Sequence, residues 1–243
     1  EALRNMNYNV DIVSPGTELG DYKLVIAPVY YMVKGNDDEM VRSFVKNGGT
    51  FVTTFFSGIV EEHDLVTIGG YPGKLRDILG IWVEEEDALP AGMENSFVYR
   101  GQTYPATLLC GLLHLEGAQQ VDEGGYGCDF YAGMPVITKN DFGKGRAYYL
   151  ATASNAQFYE TFLSDLCAQQ GLAPVLETPR GVEVTSRENE NGRLIYVLNH
   201  KDSETAISLP EAMRDLITGE TFEPGGHLLK SREVRIFAPV HRD

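Results

Sequence analysis

Cysteine is scarce in this chain: Cys110, Cys128 and Cys167 are the only three, an odd number at irregular spacing. No two of them form a C-x-x-C pair, so neither a zinc site nor a redox dithiol is suggested. Cys167 falls in the helix-like run FYETFLSDLCAQQGL and is expected in the core, and reduced thiols are the expectation for all three. Basic residues are also few. Twenty Lys and Arg stand against 35 Asp and Glu, giving a net charge of −15. That field repels phosphate backbones and argues against nucleic acid as a partner. No stretch approaches the ~20 apolar residues needed to span a bilayer, and no signal peptide opens the sequence. No repeat or low-complexity segment occurs. These absences describe an acidic, cytoplasmic protein that binds no membrane. Its 243 residues, 43% hydrophobic, suffice for one large domain or a medium one plus a small one.

What is present alternates between strand and helix. Val10–Val13 reads as a short strand, broken by Ser14-Pro15-Gly16, and Lys23–Pro28 as a buried parallel strand. Asp37–Lys46 has helical spacing, with Met40, Val41, Phe44 and Val45 on one face, a possible cap at Asn36 and a stop at Asn47-Gly48-Gly49. Thr50–Phe55 is the next buried strand, and this order predicts a parallel sheet. Gly73–Leu79 reads as a short helix ended by Gly80, Ser96–Val136 as an antiparallel extension of the sheet, and Arg146–Ala151 as a further strand. Asn155–Gln170 is the last long helix. Beyond Pro174 to Pro179 the pattern turns to short alternating strands, predicting a five- or six-stranded β-sandwich of about 60 residues, near the size limit for independent stability. The Asn191-Gly192 step favours a type I′ hairpin within it. Glu1–Tyr8 looks like the last turns of a helix leading into a second strand, so the first strand of a doubly wound domain is expected to be missing and the chain to be a piece of a longer protein.

Five stretches carry a family resemblance: DYKLVIAPVYYMV, GGTFVTTFFSGIVEEHDLV, GGYPGKLRDILGIWVEEEDAL, DFYAGMPVITKNDFGKGRAYYLAT and GVEVTSRENENGRLIYVLNH. In that order they resemble the trimerisation domain of glycoside hydrolase family 42, the microbial β-galactosidases. The resemblance implies a flavodoxin-like or class I glutamine amidotransferase-like three-layer α/β domain over residues 1–178, then a small antiparallel β-sandwich domain over 179–243. It also implies a (β/α)8 barrel that holds both catalytic glutamates and to which none of these segments corresponds. The chain is therefore expected to be a non-catalytic homotrimerisation portion, without cofactor or metal. Its parent would hydrolyse terminal non-reducing β-D-galactosyl residues, with the β-galactoside bound only by the barrel.

The residues themselves offer weaker alternatives. Ser57-Gly58 stands at the end of a strand, where relatives in the amidotransferase fold carry a cysteine nucleophile. Neither G-x-C-x-G nor G-x-S-x-G is present, and Phe55 and Phe56 would fill the turn. Cys110, His114 and Glu116 supply triad residue types, but on a strand Cys110 and His114 would stand roughly 13 Å apart at ~3.3 Å per residue, too far for activation of a thiol. A free-standing hydrolase using Ser57 or Cys110 is thus the first rival. Glu61, Glu62, His63 and Asp64 form an acidic loop, a weak metal pattern because it holds one histidine. Tyr30, Tyr31 and Tyr71 could stack on a sugar, which makes a carbohydrate-binding module the second rival. The preferred assignment for Ser57, Glu61, Glu62, His63 and Tyr71 is a subunit contact. Trp82 suits a core or a subunit contact equally. Glu84–Asp87 reads as a solvated charge run.

Overall fold

The computed structural model describes residues 1–190 and 192–240. The chain divides into two compact units, Val13–Phe158 and a second made of Glu1–Ile12 with Tyr159–Asp243. Both are mixtures of sheet with few helices: α1 (Ala2–Asn5), α2 (Asp37–Lys46), α3 (Arg76–Leu79) and α4 (Ala156–Gln169).

The larger unit is organised by a five-stranded sheet. Edge to edge it runs β1 (Leu24–Ala27), β2 (Thr50–Thr54), β8 (Gly145–Leu150), β7 (Ile137–Phe142) and β6 (Gln119–Gln120). The first three strands are parallel, in register from Leu24↔Thr50 and Thr50↔Arg146, and β7 and β6 add antiparallel. Every residue of β2 is buried, as a central parallel strand covered on both faces requires. α2 connects β1 to β2 and buries Val41, Phe44 and Val45. Its first turn carries Asp37, Asp38 and Glu39 and its last turn Lys46, each placed favourably for the helix dipole. Asn36 occupies the N-cap position without a side-chain capping bond. Gly80, at φ +62°, ends α3 in the left-handed conformation that glycine adopts at least cost.

Residues 96–136 depart from expectation. They extend the main sheet only through β6. β5 (Gln102–Leu115) and β4 (Asn95–Tyr99) instead join β3 (Ile81–Ala88) in a separate antiparallel sheet, with β9 (Thr152–Ala153) also on β5, and residues 121–136 belong to no strand. The cause is the length of β5: its first half pairs with β4 and its second with β3. Residues 10–13 likewise form no strand. Val10, Ile12 and Val13 are exposed and find no backbone ladder among the described residues.

Among the described residues the smaller unit holds seven strands: β10 (Val182–Asn189), β11 (Gly192–Asn199), β12 (Thr205–Leu209), β13 (Met213–Asp215), β14 (Thr221–Phe222), β15 (Gly225–Leu229) and β16 (Val234–Pro239). Five form one sheet in the order β10-β11-β16-β13-β14, while β12 and β15 pair separately, and one core of Val184, Val197, Ile207, Leu209, Leu229 and Phe237 draws on both. β14 and β15 were not expected: Gly225-Gly226 carries little strand propensity. β10 and β11 pair from Val182↔Asn199 to Asn189↔Gly192. Asn191 of the predicted turn lies outside the described residues.

Asn7 ties the start of the chain to this unit. Buried and at φ +60°, it donates to the Leu176 carbonyl at 3.1 Å and the Thr178 hydroxyl at 2.7 Å, and accepts from the Val184 amide at 2.9 Å. Its αL backbone suits asparagine better than most residues. Asn7→Ala leaves the Val184 amide without that acceptor and is expected to cost about 2–3 kcal/mol in urea unfolding.

Candidate functional site

The C-terminal ends of β1 and β2 are laced together by side chains. The Thr53 hydroxyl donates to the Ala27 carbonyl at 2.7 Å and shares a 2.6 Å hydrogen bond with the Ser57 hydroxyl. Ser57 accepts from the Tyr30 amide at 2.9 Å, and Thr54 from the Val29 amide at 2.8 Å. Both crossover turns take left-handed backbone, Val29 at φ +50° and Phe56 at φ +56°. Non-glycine residues hold such angles at a cost of about 1–3 kcal/mol each, and only where the surroundings impose them.

An elbow is therefore present after β2, with a phenylalanine at its apex. Phe56 is partly exposed and Phe55 buried. Ser57 is fully buried, both of its contacts are structural, and it presents no hydroxyl to solvent. The triad residues do not meet. Cys110 is buried, and burial pushes its thiol up, away from the reactive thiolate. His114 stacks on Trp82 with ring centres 4.8 Å apart and bonds Glu84, while Glu116 takes a bidentate grip from Arg76. Trp82 is half-buried, with the Arg76 guanidinium also over its ring at 5.8 Å. Of the tyrosines weighed as a sugar platform, Tyr30 and Tyr71 pack against the core, and the Tyr30 hydroxyl donates to Asp37 at 2.9 Å.

Glu61, Glu62, His63 and Asp64 form a tight turn on the surface. The Asp64 amide donates to the Glu61 carbonyl at 3.0 Å, the His63 amide to the Glu61 carboxylate at 3.2 Å, and the Gly35 amide to Glu62 at 3.3 Å. No cluster of three metal-ligating side chains occurs among the described residues. Beyond the turn, Leu65, Val66 and Ile68 are exposed, Ile68 at 99%. They border a groove of about 340 Å³ that Val33, Val60 and Lys74 also line. Tyr71 follows on the same excursion, bridging to Val83 of β3.

Sequence reading missed Glu86. It belongs to the run 84–87 taken as solvated, yet it turns inward. A bulge between Val83 and Glu85 inserts one residue in β3 and shifts the side-chain alternation. Two inward positions, Ile81 and Val83, are followed by Glu86 where strict alternation would select Glu85. Only the bulge gives this away, and no residue pattern in IWVEEEDA announces it.

No helix is long and apolar enough to cross a membrane among the described residues. Comparison with known proteins assigns the chain. Residues 1–173 match the family model "Beta-galactosidase trimerisation domain" and residues 181–238 match "Beta-galactosidase C-terminal domain". β-Galactosidase BgaA of Planococcus sp. (strain SOS Orange) is 46% identical over 247 residues, covering 99% of this chain and 36% of that protein. The crystal structure of β-galactosidase from Bacillus circulans sp. alkalophilus superposes with a TM-score of 0.94 at 44% identity, covering 98% of this chain and 36% of that one. Gan42B, a GH42 β-galactosidase from G. stearothermophilus, gives 0.92 at 34% identity, with 98% and 35% coverage. The chain thus spans about 36% of the length of such relatives, and it belongs to the glycoside hydrolase family 42 β-galactosidases, in which it corresponds to the trimerisation and C-terminal domains.

Proposed function

We propose that this chain is the assembly portion of a cytoplasmic β-galactosidase that hydrolyses terminal non-reducing β-D-galactosyl residues with retention. The match of residues 1–173 to a trimerisation-domain model carries the proposal. We place the boundary between a trimerisation domain and a small β-sandwich domain at 178/179, in the gap between the two family matches. The amidotransferase-like label for the first domain draws support from its three parallel strands, the helical crossover α2 and the elbow after β2. The chemistry belongs to glutamates of a barrel, and no cofactor is assigned here.

The contact face in this proposal is the excursion after the elbow. Glu61, Glu62 and His63 supply its polar rim, Leu65, Val66 and Ile68 its apolar centre, and the half-buried Tyr71 and buried Ser57 hold the excursion from beneath. Burying an exposed Leu or Ile yields about 1.5–3 kcal/mol. Leu65→Glu with Ile68→Glu is expected to weaken self-association by at least about a hundredfold, since each 1.4 kcal/mol is a factor of ten. Light scattering across a dilution series reads this directly. The wild-type chain is expected as a trimer and the double variant as a folded monomer. An unchanged mass in the variant would move the contact elsewhere, and a wild-type monomer at every concentration would refute assembly by this chain.

A further inference from the structure

Glu86 sits where the second sheet meets the elbow. Its Oε1 accepts from the Phe56 amide at 3.3 Å. Its Oε2 is enclosed and has no hydrogen-bond partner. That oxygen lies 3.3 Å from the point a Cβ of Gly111 would occupy, so glycine at 111 leaves it room. Among the described residues the neighbouring elements bring it no cation. β5 brings Gly111 and the buried Cys110. β8 brings Tyr149 and the segment before β7 brings Tyr126. Burial first, and this carboxylate's charge among the further causes, push both phenols well up. On its own strand Glu84 bonds His114, Glu85 is exposed, and Asp87 accepts from the Tyr131 hydroxyl.

A carboxylate so placed has one weak donor and nowhere to hydrate its second oxygen, and an unpaired buried charge costs several kcal/mol. Burial accordingly pushes the Glu86 carboxyl up to about 7, against the opposing bond from the Phe56 amide. Relief on ionisation comes by admitting water, and the wall that meets the carboxylate through one long bond is the Phe56 turn of the elbow. Phe56 is 39% exposed and held at a costly φ, and its amide makes only the 3.3 Å bond to Glu86.

We propose that Glu86 is a proton-operated latch on the elbow: the neutral acid keeps the Phe56 turn closed, and its ionisation hydrates Oε2 and loosens residues 55–60, which lead into the assembly face. The step is a plain acid dissociation, with the proton passing to solvent. The link to assembly rests on the contact face proposed above, and the latch itself does not. The sign follows from the raised pKa. The neutral form's contribution is complete below the ordinary value of 4.5 and is lost as pH rises through about 7.

Hydrogen–deuterium exchange of the whole chain, corrected for intrinsic rates, tests it at about pH 5.5 and about pH 8.5. In the wild type, protection of residues 55–60 is expected to fall roughly tenfold or more at the higher pH. In Glu86→Gln, which stays neutral and keeps an oxygen for the Phe56 amide, protection is expected to hold. Equal protection at both pH values in the wild type, or equal loss in both proteins, overturns the latch. Should the variant not fold, the carbon-13 titration of the Glu86 carboxyl in the wild type decides. A midpoint near 7 supports the latch, and one near 4.5 refutes it. Light scattering on the same samples separates the two ideas: protection lost with no change in mass keeps the latch and overturns the contact face.

Discussion

Asp215→Ala is expected to cost about 3–5 kcal/mol, the range for breaking a buried ion pair by removing one partner. Asp215 closes the β13 strand and is fully buried. Its Oδ1 accepts from the amides of Ile217 at 3.2 Å and Ile236 at 3.3 Å, and its Oδ2 from the Thr218 hydroxyl at 2.8 Å and Arg235 at 2.9 Å. Burial alone would raise this carboxyl. The Thr218 hydroxyl, the Ile217 amide, Arg235 and the Ile236 amide outweigh burial and hold it below the usual carboxylate range. Its contribution is therefore present above the ordinary value of 3.8 and is lost as pH falls through the lower folded value. Removing the side chain leaves two amides unmet, Ile217 in the turn after β13 and Ile236 on β16. It also leaves Arg235, only 13% exposed, leaning on Glu233 and on the Phe222 ring at 4.9 Å. In a domain of this size the loss is comparable to total stability. The expected observation is early thermal loss of the C-terminal β structure. Asp215→Asn, which retains one acceptor oxygen, is expected to lose less. Equal stability of wild type and Asp215→Ala would show that the turn is held by backbone pairing alone.

The sequence exposes periodicity and punctuation far better than tertiary choice. α2 is legible to the residue because its apolar face, acidic first turn and glycine stop agree. β1 follows from an uninterrupted apolar run, and β2 and β8 from β-branched and aromatic runs opened by glycine. Residues 10–13 mislead because their alternation has no partner strand to satisfy it, and strand formation is decided by that partner. The second sheet is hidden for a related reason. A fourteen-residue strand looks like one element but serves two neighbours. At the site, Ser57 is legible as a stitch rather than a nucleophile, since the bulky Phe55-Phe56 excludes a nucleophile turn. The Cys110 and His114 separation is legible too, from strand rise. Glu86 is not, because one inserted residue reverses which glutamate faces inward. Asn7 is equally silent: its importance lies in groups some 170 residues away, at Leu176, Thr178 and Val184.

Gly58→Ala should collapse the same elbow that Glu86 guards, and a matched control isolates the reason. Gly58 stands at φ +66°, and a Cβ there would fall on the carbonyl oxygen of Pro72. Gly69 stands at φ +101° on the same excursion with nothing within 4 Å of the equivalent point. Both alanines accept an unfavourable backbone, about 1–2 kcal/mol. Only Gly58→Ala adds a clash against backbone, which cannot turn aside as a side chain tip can. Overpacking of this kind adds about 1–3 kcal/mol. The pinned partner is consequential, since Gly73 in turn approaches the Gly58 carbonyl and the two turns fit only as a pair. Gly58→Ala is therefore expected to cost about 2–5 kcal/mol in urea unfolding and Gly69→Ala about 1–2 kcal/mol. Because the strain is released by moving residues 58–72, Gly58→Ala is expected to weaken the proposed self-association at concentrations where Gly69→Ala leaves it unchanged. Equal costs for the two variants would mean that the Pro72 carbonyl yields readily, and the elbow would then be a soft turn rather than a fixed support for the contact face.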